Sequence, residues 1–126
     1  MPASVFEYAI IRVVPNIERG ECLNSGVVVF ARQHRFLEAR IQLNEARLRS
    51  LAADIDIEPL RTQLEHIPII CAGGKLAGPI GALPAPERFR WIVAPRSTII
   101  QTSPVHCGLC EHPGDALEKL FERLVR

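Results

Sequence analysis

The sequence predicts one α+β domain over residues 1–126, with a four-stranded, mainly antiparallel sheet and three to four helices packed chiefly on one face. Three observations lead to this prediction. The length of 126 residues fits a single domain. Three strand-like segments follow one another without a helix between them, and helical patterns fill much of the remaining chain. Hydrophobic residues make up 48% of the chain, so a buried core is expected rather than disorder.

Four strands are predicted from the apolar patterning. Residues 5–14 are β-branched and aromatic and are apolar on both faces, which is typical of a central strand. A second apolar run covers residues 23–30, and residues 36–43 alternate apolar and polar side chains with the period of a half-buried strand. Because these two segments are close in sequence, they are expected to form a hairpin. Residues 98–102 form the fourth predicted strand.

Two helices are predicted after the third strand. Asn44 is a good N-cap for a helix over residues 45–53. Asp56 can cap the next helix, which Pro68 should end or kink because proline cannot donate a main-chain hydrogen bond. The glycine- and proline-rich residues 72–86 are predicted to be a long mobile loop.

Two further helices are predicted near the C-terminus. Residues 87–93 favour a short helix in which Trp91 packs in the core. Asp115 and Glu118, three residues apart, resemble an acidic capping box at the start of an amphipathic helix. That helix is expected to cover one face of the sheet, because its leucines and Phe121 recur at helical spacing.

The charge and hydropathy of the chain narrow the classes of function. Fifteen basic and fourteen acidic residues leave a net charge of +1, which exerts no long-range attraction on nucleic acid or membrane. No segment approaches the ~20 apolar residues that a membrane-spanning helix needs. Four cysteines without a recognisable secretion signal favour a reducing, cytoplasmic compartment. A membrane association is therefore not expected, and nucleic-acid binding is disfavoured.

One short segment could bind a metal. His106, Cys107, Cys110 and His112 are ligands of the type that zinc prefers, and the two cysteines have CxxC spacing. The same spacing occurs in redox proteins, where a helix N-terminus lowers the thiol pKa. The third interpretation, which we favour, is two small, semi-buried cysteines in a turn around Gly108. No cofactor is therefore expected.

A second set of polar residues suggests a binding surface. Its members flank the second and fourth predicted strands, and they are Arg19, Glu21, Asn24, Arg96, Ser97 and His106. If strands one, two and four share a sheet, some of these side chains could converge. Arginine with amide groups suits a carboxylate, a phosphate or a peptide main chain. The alternative, to which we give more weight, is that Asn24 and Ser97 satisfy backbone groups while the arginines pair with local acids. No catalytic set is predicted.

Three blocks of the chain resemble a known family. They are YAIIRVVPNIERGECLNSGVVVF, RFRWIVAPRSTIIQTSPVHCGL and HPGDALEKLFERLV, and they lie between residues 8 and 125, so the resemblance extends over nearly the whole chain. They resemble the bacterial domain-of-unknown-function family 3037. The resemblance implies no established activity. Some members are encoded beside a HipA-like kinase, so the resemblance implies such a kinase as a candidate partner. The family's C-terminal block more often reads H-T-G-L-T, so this chain departs at Cys107 and Cys110.

These observations favour a non-catalytic binding or accessory module that engages a protein partner, with a HipA-like kinase as the candidate. The alternative is a small enzyme or a zinc or redox protein that uses the region around His106. The sequence alone identifies neither a ligand nor a reaction.

We expect the protein to be metal-free when it is purified without added zinc, because a single CxxC lacks the distant second pair that structural zinc sites usually have. Elemental analysis of the purified protein measures this directly. A content near one zinc per chain that is lost in a Cys107→Ser, Cys110→Ser variant would contradict the expectation.

Overall fold

An antiparallel sheet of five strands organises the chain, of which the computed structural model describes residues 3–126. The strands are β1 (Ser4–Val13), β2 (Leu23–Ala31), β3 (Phe36–Ile41), β4 (Ile100–Thr102) and β5 (His106–Cys110). Their order is β3-β2-β1-β4, and β5 also pairs with β1. The predicted α+β class is therefore confirmed, and the predicted four strands gain a fifth.

Strand β1 is the centre of the sheet. It pairs with β2 along one edge, while β4 and β5 share its other edge. Strand β4 pairs with the last three residues of β1, and β5 pairs with its first five. Between β4 and β5, Ser103 continues the ladder: its main-chain NH donates to Ile10 O at 2.8 Å, and its hydroxyl accepts from Ile10 NH at 2.8 Å.

In the described part of the chain, residues 3–126, four α-helices flank the sheet. They are α1 (Glu45–Leu51), α2 (Ile57–Ala72), α3 (Ala85–Val93) and α4 (Pro113–Leu124), and two short 3₁₀ segments lie at Arg32–His34 and Lys75–Ala82. The predicted N-cap of α1 is confirmed, because the Asn44 side chain accepts a hydrogen bond from Arg47 NH. No helix within residues 3–126 has the length and apolar character needed to cross a bilayer.

The helices cover the two faces of the sheet unequally. Helices α1, α2 and α3 pack on the face that carries Ala9, Ile11 and Val13 of β1. Helix α4 covers part of the opposite face, where Phe121 contacts the cluster that contains Phe6. Because successive residues of a strand point to opposite faces, β1 must be apolar on both faces to contribute to both cores.

The sequence predicts that Pro68 ends or kinks α2, and the structure shows that the helix does not end there but continues to Ala72. Its C-terminal carbonyls are bound by a side chain from α3: Arg88 Nη1 donates to Ile70 O at 2.9 Å and to Cys71 O at 2.6 Å. Ile70 and Cys71 are also buried in the core, so tertiary contacts hold the turn that follows the proline.

Three other local predictions were wrong. Trp91 is 40% exposed, because Phe89 and Ile92 occupy the buried positions of α3. Helix α4 begins at Pro113 with His112 as its N-cap residue, before the predicted capping box. The predicted turn around Gly108 is strand β5.

Tertiary contact explains why the Gly108 segment is extended. A Cβ at this position would lie 2.7 Å from the ring of Phe6, so only glycine allows β5 to lie this close to β1. The predicted loop over residues 72–86 also has more structure than expected, since the 3₁₀ segment within it buries Ala77. The mobility of that segment remains a prediction.

Substitution of Gly26 by alanine is expected to destabilise the fold by about 1–3 kcal/mol, the usual cost of overpacking a core. A Cβ there would lie 2.7 Å from the main-chain oxygen of Arg40, which cannot move without disturbing the β2–β3 ladder. Urea denaturation measures the change. The matched control is Gly114→Ala in α4, where a Cβ meets only Phe36 at 4.0 Å. Equal stability of Gly26→Ala and wild type would contradict the close packing of Gly26 against the main chain of Arg40.

Candidate functional site

A groove of about 350 Å³ lies between α2, α3 and the segment that enters β4. Ile67, Ile70 and Ile100 contribute apolar groups to its lining. Trp91 and Arg96 lie on its other side, and we call this site the Trp91–Arg96 groove. Its size and mostly apolar lining are typical of a small ligand site or of a pocket for one or two side chains.

Trp91 and Arg96 form one unit at this groove. The guanidinium carbon of Arg96 lies 4.3 Å from the centre of the Trp91 ring, and its Nη2 donates a hydrogen bond to Trp91 O. Within residues 3–126 Arg96 has no salt bridge, so the rest of its guanidinium is available to a ligand. Stacking on the ring holds the charge beside the apolar floor.

The polar lining of the groove is free of carboxylates. Its remaining members are Thr62, Gln63, His66 and Thr98, so its titratable side chains are an imidazole and a guanidinium. A smaller cavity of about 260 Å³ near Phe30 and Phe89 is lined by Glu7 as well as arginines. Of these two cavities, the Trp91–Arg96 groove is therefore the one whose charged side chains have a single sign.

The loop residues of the predicted binding set pair with each other. Arg19 and Glu21 form a salt bridge, and the Glu21 carboxylate raises the pKa of the Arg19 guanidinium above its ordinary value. The Asn16 side chain accepts hydrogen bonds from Glu18 NH and Arg19 NH, which fixes the turn that carries this pair. Both charged side chains are exposed to solvent.

The other members of the set lie in different places. Asn24 Nδ2 donates to Leu124 O at 3.0 Å, at the end of α4. The ring of His106 lies 5.4 Å from that of Tyr8. In the sheet, Asn24 pairs with Arg12 of β1 and His106 pairs with Tyr8 of β1. Arg12 and Tyr8 are four residues apart along β1, which corresponds to a distance of about 13 Å.

Arg96 is the predicted residue that lines the groove, and Ser97 follows it on the surface. The structure thus pairs Arg19 with Glu21 but does not gather the six residues into one cluster. Binding by any of the six remains a prediction.

Strand β5 sets the geometry of the CxxC. Successive side chains of a strand alternate between faces, so Cys107 and Cys110 point to opposite sides of the sheet. Cys110 packs against the core under α4, while Cys107 is exposed next to Glu7 in the ladder. This arrangement cannot place both sulfur atoms on one ion or in one disulfide, which argues against the zinc and redox alternatives.

Two further observations agree with this geometry. Among residues 3–126 there is no group of three or more His, Cys, Asp or Glu side chains arranged to hold a metal ion. Burial also raises the pKa of the Cys110 thiol, as expected for a side chain that packs against the core under α4.

Sequence reasoning missed Trp91, His66 and the isoleucines of the groove. For Trp91 a usable signal was present. Residues two apart on a helix do not share a face, so a helix that buries Phe89 and Ile92 directs Trp91 elsewhere. No comparable signal exists for the isoleucines of α2, because the sequence does not show that β4 and α3 leave a gap beside them.

The thiol of Cys71 is expected to resist alkylation in the folded protein. Burial raises the pKa of this thiol to about 12, so the reactive thiolate is scarce at pH 8. Iodoacetamide followed by peptide mass mapping should show rapid modification of the exposed Cys22 and Cys107, with Cys71 modified only after denaturation. Native-state modification of Cys71 as fast as that of Cys22 would contradict this placement.

Comparison with known proteins identifies one family over nearly the whole chain. A family model described as "Protein of unknown function (DUF3037)" matches residues 8–125. Neither the curated proteins nor the solved structures give a significant match. The matched range includes all five strands except the first residues of β1, and it includes every residue of the Trp91–Arg96 groove. Since the match covers nearly the entire sequence, this chain belongs to the DUF3037 family.

Proposed function

We propose that this protein is a non-catalytic binding module that holds a segment of a protein partner in the Trp91–Arg96 groove. The observation that supports the proposal is the exposed Trp91 ring stacked under Arg96 beside an apolar floor. Tryptophan and arginine are the residues most enriched where a few contacts supply most of the binding energy.

The groove suggests the chemistry of the segment it binds. Ile67, Ile70 and Ile100 suit an apolar side chain, since burial of apolar surface is the main favourable term. Arg96 retains free donors in a fork that matches a carboxylate. The proposed ligand is therefore a peptide segment with an apolar side chain next to an acidic side chain or a C-terminal carboxylate.

The setting and partner are part of the same proposal. The four cysteines favour a reducing bacterial cytoplasm, where exposed thiols persist. A HipA-like kinase is the candidate partner implied by the family resemblance. Such a module would act by contact, holding or positioning the kinase, without a reaction of its own.

Alanine at Trp91 or Arg96 is expected to weaken partner capture by about tenfold or more, because one well-packed contact of this kind can contribute ~2 kcal/mol or more. The measurement is quantitative co-purification from the native host with tagged wild type and variants, followed by titration of the purified partner. Both variants should keep their fold, because Trp91 and Arg96 lie at the surface. Circular dichroism checks this.

The matched control is Arg123→Ala, which removes an exposed arginine from α4 on the other face of the sheet. It should capture the partner as well as wild type. Equal capture by the wild type, Trp91→Ala and Arg96→Ala would contradict the proposal. A HipA-like kinase that is retained by wild type and lost only in the two groove variants would support both the site and the partner.

A further inference from the structure

Strand β5 has an unpaired outer edge. It pairs with β1, and within residues 3–126 no other strand pairs with it. Strand β3, at the opposite edge of the sheet, is protected against pairing with another strand. Its Glu38 and Arg40 are charged, and Arg40 forms a salt bridge with Glu118 of α4. Charged side chains are the usual means by which proteins prevent edge-to-edge pairing.

The hydrogen bonds of β1 show which main-chain groups of β5 face outward. Val14 NH donates to Ile99 O at 2.7 Å, and Ser103 NH donates to Ile10 O at 2.8 Å. The even-numbered residues of β1 therefore bond toward the edge that β4 and β5 share. Since antiparallel ladders alternate, the partners of Ser4, Phe6 and Tyr8 are the bonded residues of β5.

These bonded residues are His106, Gly108 and Cys110, so the NH and CO groups of Cys107 and Leu109 point away from β1. From Cys107 to Cys110 the strand contains neither a charged residue nor a proline. The Leu109 side chain is 71% exposed, and Val5 beside it in the ladder is 56% exposed. This edge therefore combines free main-chain groups with an apolar surface.

We propose that two copies of this chain join by antiparallel pairing of their β5 strands about a two-fold axis at Gly108. In this register Cys107 of each copy exchanges main-chain hydrogen bonds with Leu109 of the second copy. Gly108 lies opposite Gly108 of the second copy, and the lack of side chains there lets the two backbones approach closely. The two sheets then continue as one across the axis.

The occupant is a second copy because the edge is complementary to itself. A two-fold axis pairs each residue with its counterpart, so the two donors and two acceptors of one edge meet those of the other. The pairing brings no charged side chain of β5 against its own image, and the net charge of +1 per chain gives little repulsion between copies. The paired edge shares no residue with the Trp91–Arg96 groove, so the dimer is independent of the proposed function.

One strand pair is smaller than the roughly 1,200–2,000 Å² buried in typical stable complexes, so a reversible dimer is expected. Sedimentation over a concentration series should show wild type passing from monomer to dimer.

Leu109→Arg should raise the dimer dissociation constant by more than about tenfold, because it places like charges across the axis. The matched control is Leu76→Arg, whose site is 85% exposed on the 3₁₀ segment and which should dimerise as wild type does.

A second variant tests the register and does not depend on Leu109. His106 of one copy lies opposite Cys110 of the second copy in a close, non-hydrogen-bonded pair. His106→Cys in a Cys22→Ser, Cys107→Ser background should therefore give a disulfide-linked dimer under mild oxidation, and peptide mapping should identify a 106–110 linkage. The same background without His106→Cys should remain unlinked.

Three results would overturn the proposal. Wild type that stays monomeric up to its solubility limit would exclude a second copy as the occupant of this edge. A strand of another protein that binds the edge of such a monomer would overturn the proposal in the same way. A dimer that Leu109→Arg leaves intact, or that Leu76→Arg weakens equally, would place the interface elsewhere. Oxidised dimers linked through other cysteines would exclude the register.

Discussion

The pairing of β1 with three other strands is the constraint on which the rest of the structure depends. Strand β1 bonds to β2 along one edge and to β4 and β5 along the other. It contributes Ile11 to the core under α1, α2 and α3, and Phe6 to the core under α4. A strand buried on both faces and paired on both edges has no freedom to shift register, because a one-residue slip would exchange the two faces.

The return of the chain to β1 creates both the Trp91–Arg96 groove and the outer edge of β5. After α3, the chain runs through Arg96 and Thr98 to the three residues of β4, and this path leaves the groove beside α2. Residues 103–105 then separate β4 from β5, and Ser103 among them makes two hydrogen bonds to Ile10. The second half of the edge is the short strand β5, whose outer side has no strand partner within residues 3–126, and the chain enters α4 shortly after it.

The candidate site was only partly accessible to sequence reasoning. Arg96 was recognised because arginine beside polar residues at a strand entry is a common binding pattern. Its stacking on Trp91 was not recognised, since an aromatic residue in an apolar segment is usually assigned to the core. The sequence predicts that Asn24 and His106 lie near Arg96 if the strand ends meet. The ladders instead place Asn24 and His106 beside residues of β1 that are about 13 Å apart.

What the sequence by itself determined is local. Each pattern in the sequence indicates the conformation of its own segment, as shown by the period of two in residues 36–43, the apolar run of β1 and the N-cap at Asn44. The α+β class follows from the order of these segments. What only the tertiary structure decided is which segments become neighbours. Residues 106–110 become a strand because β1 offers a free edge and Phe6 leaves room for a glycine, and α2 continues past Pro68 because the core and Arg88 hold its last turn. Such outcomes depend on contacts between residues far apart in the chain, and the pattern of a single segment contains no information about its neighbour.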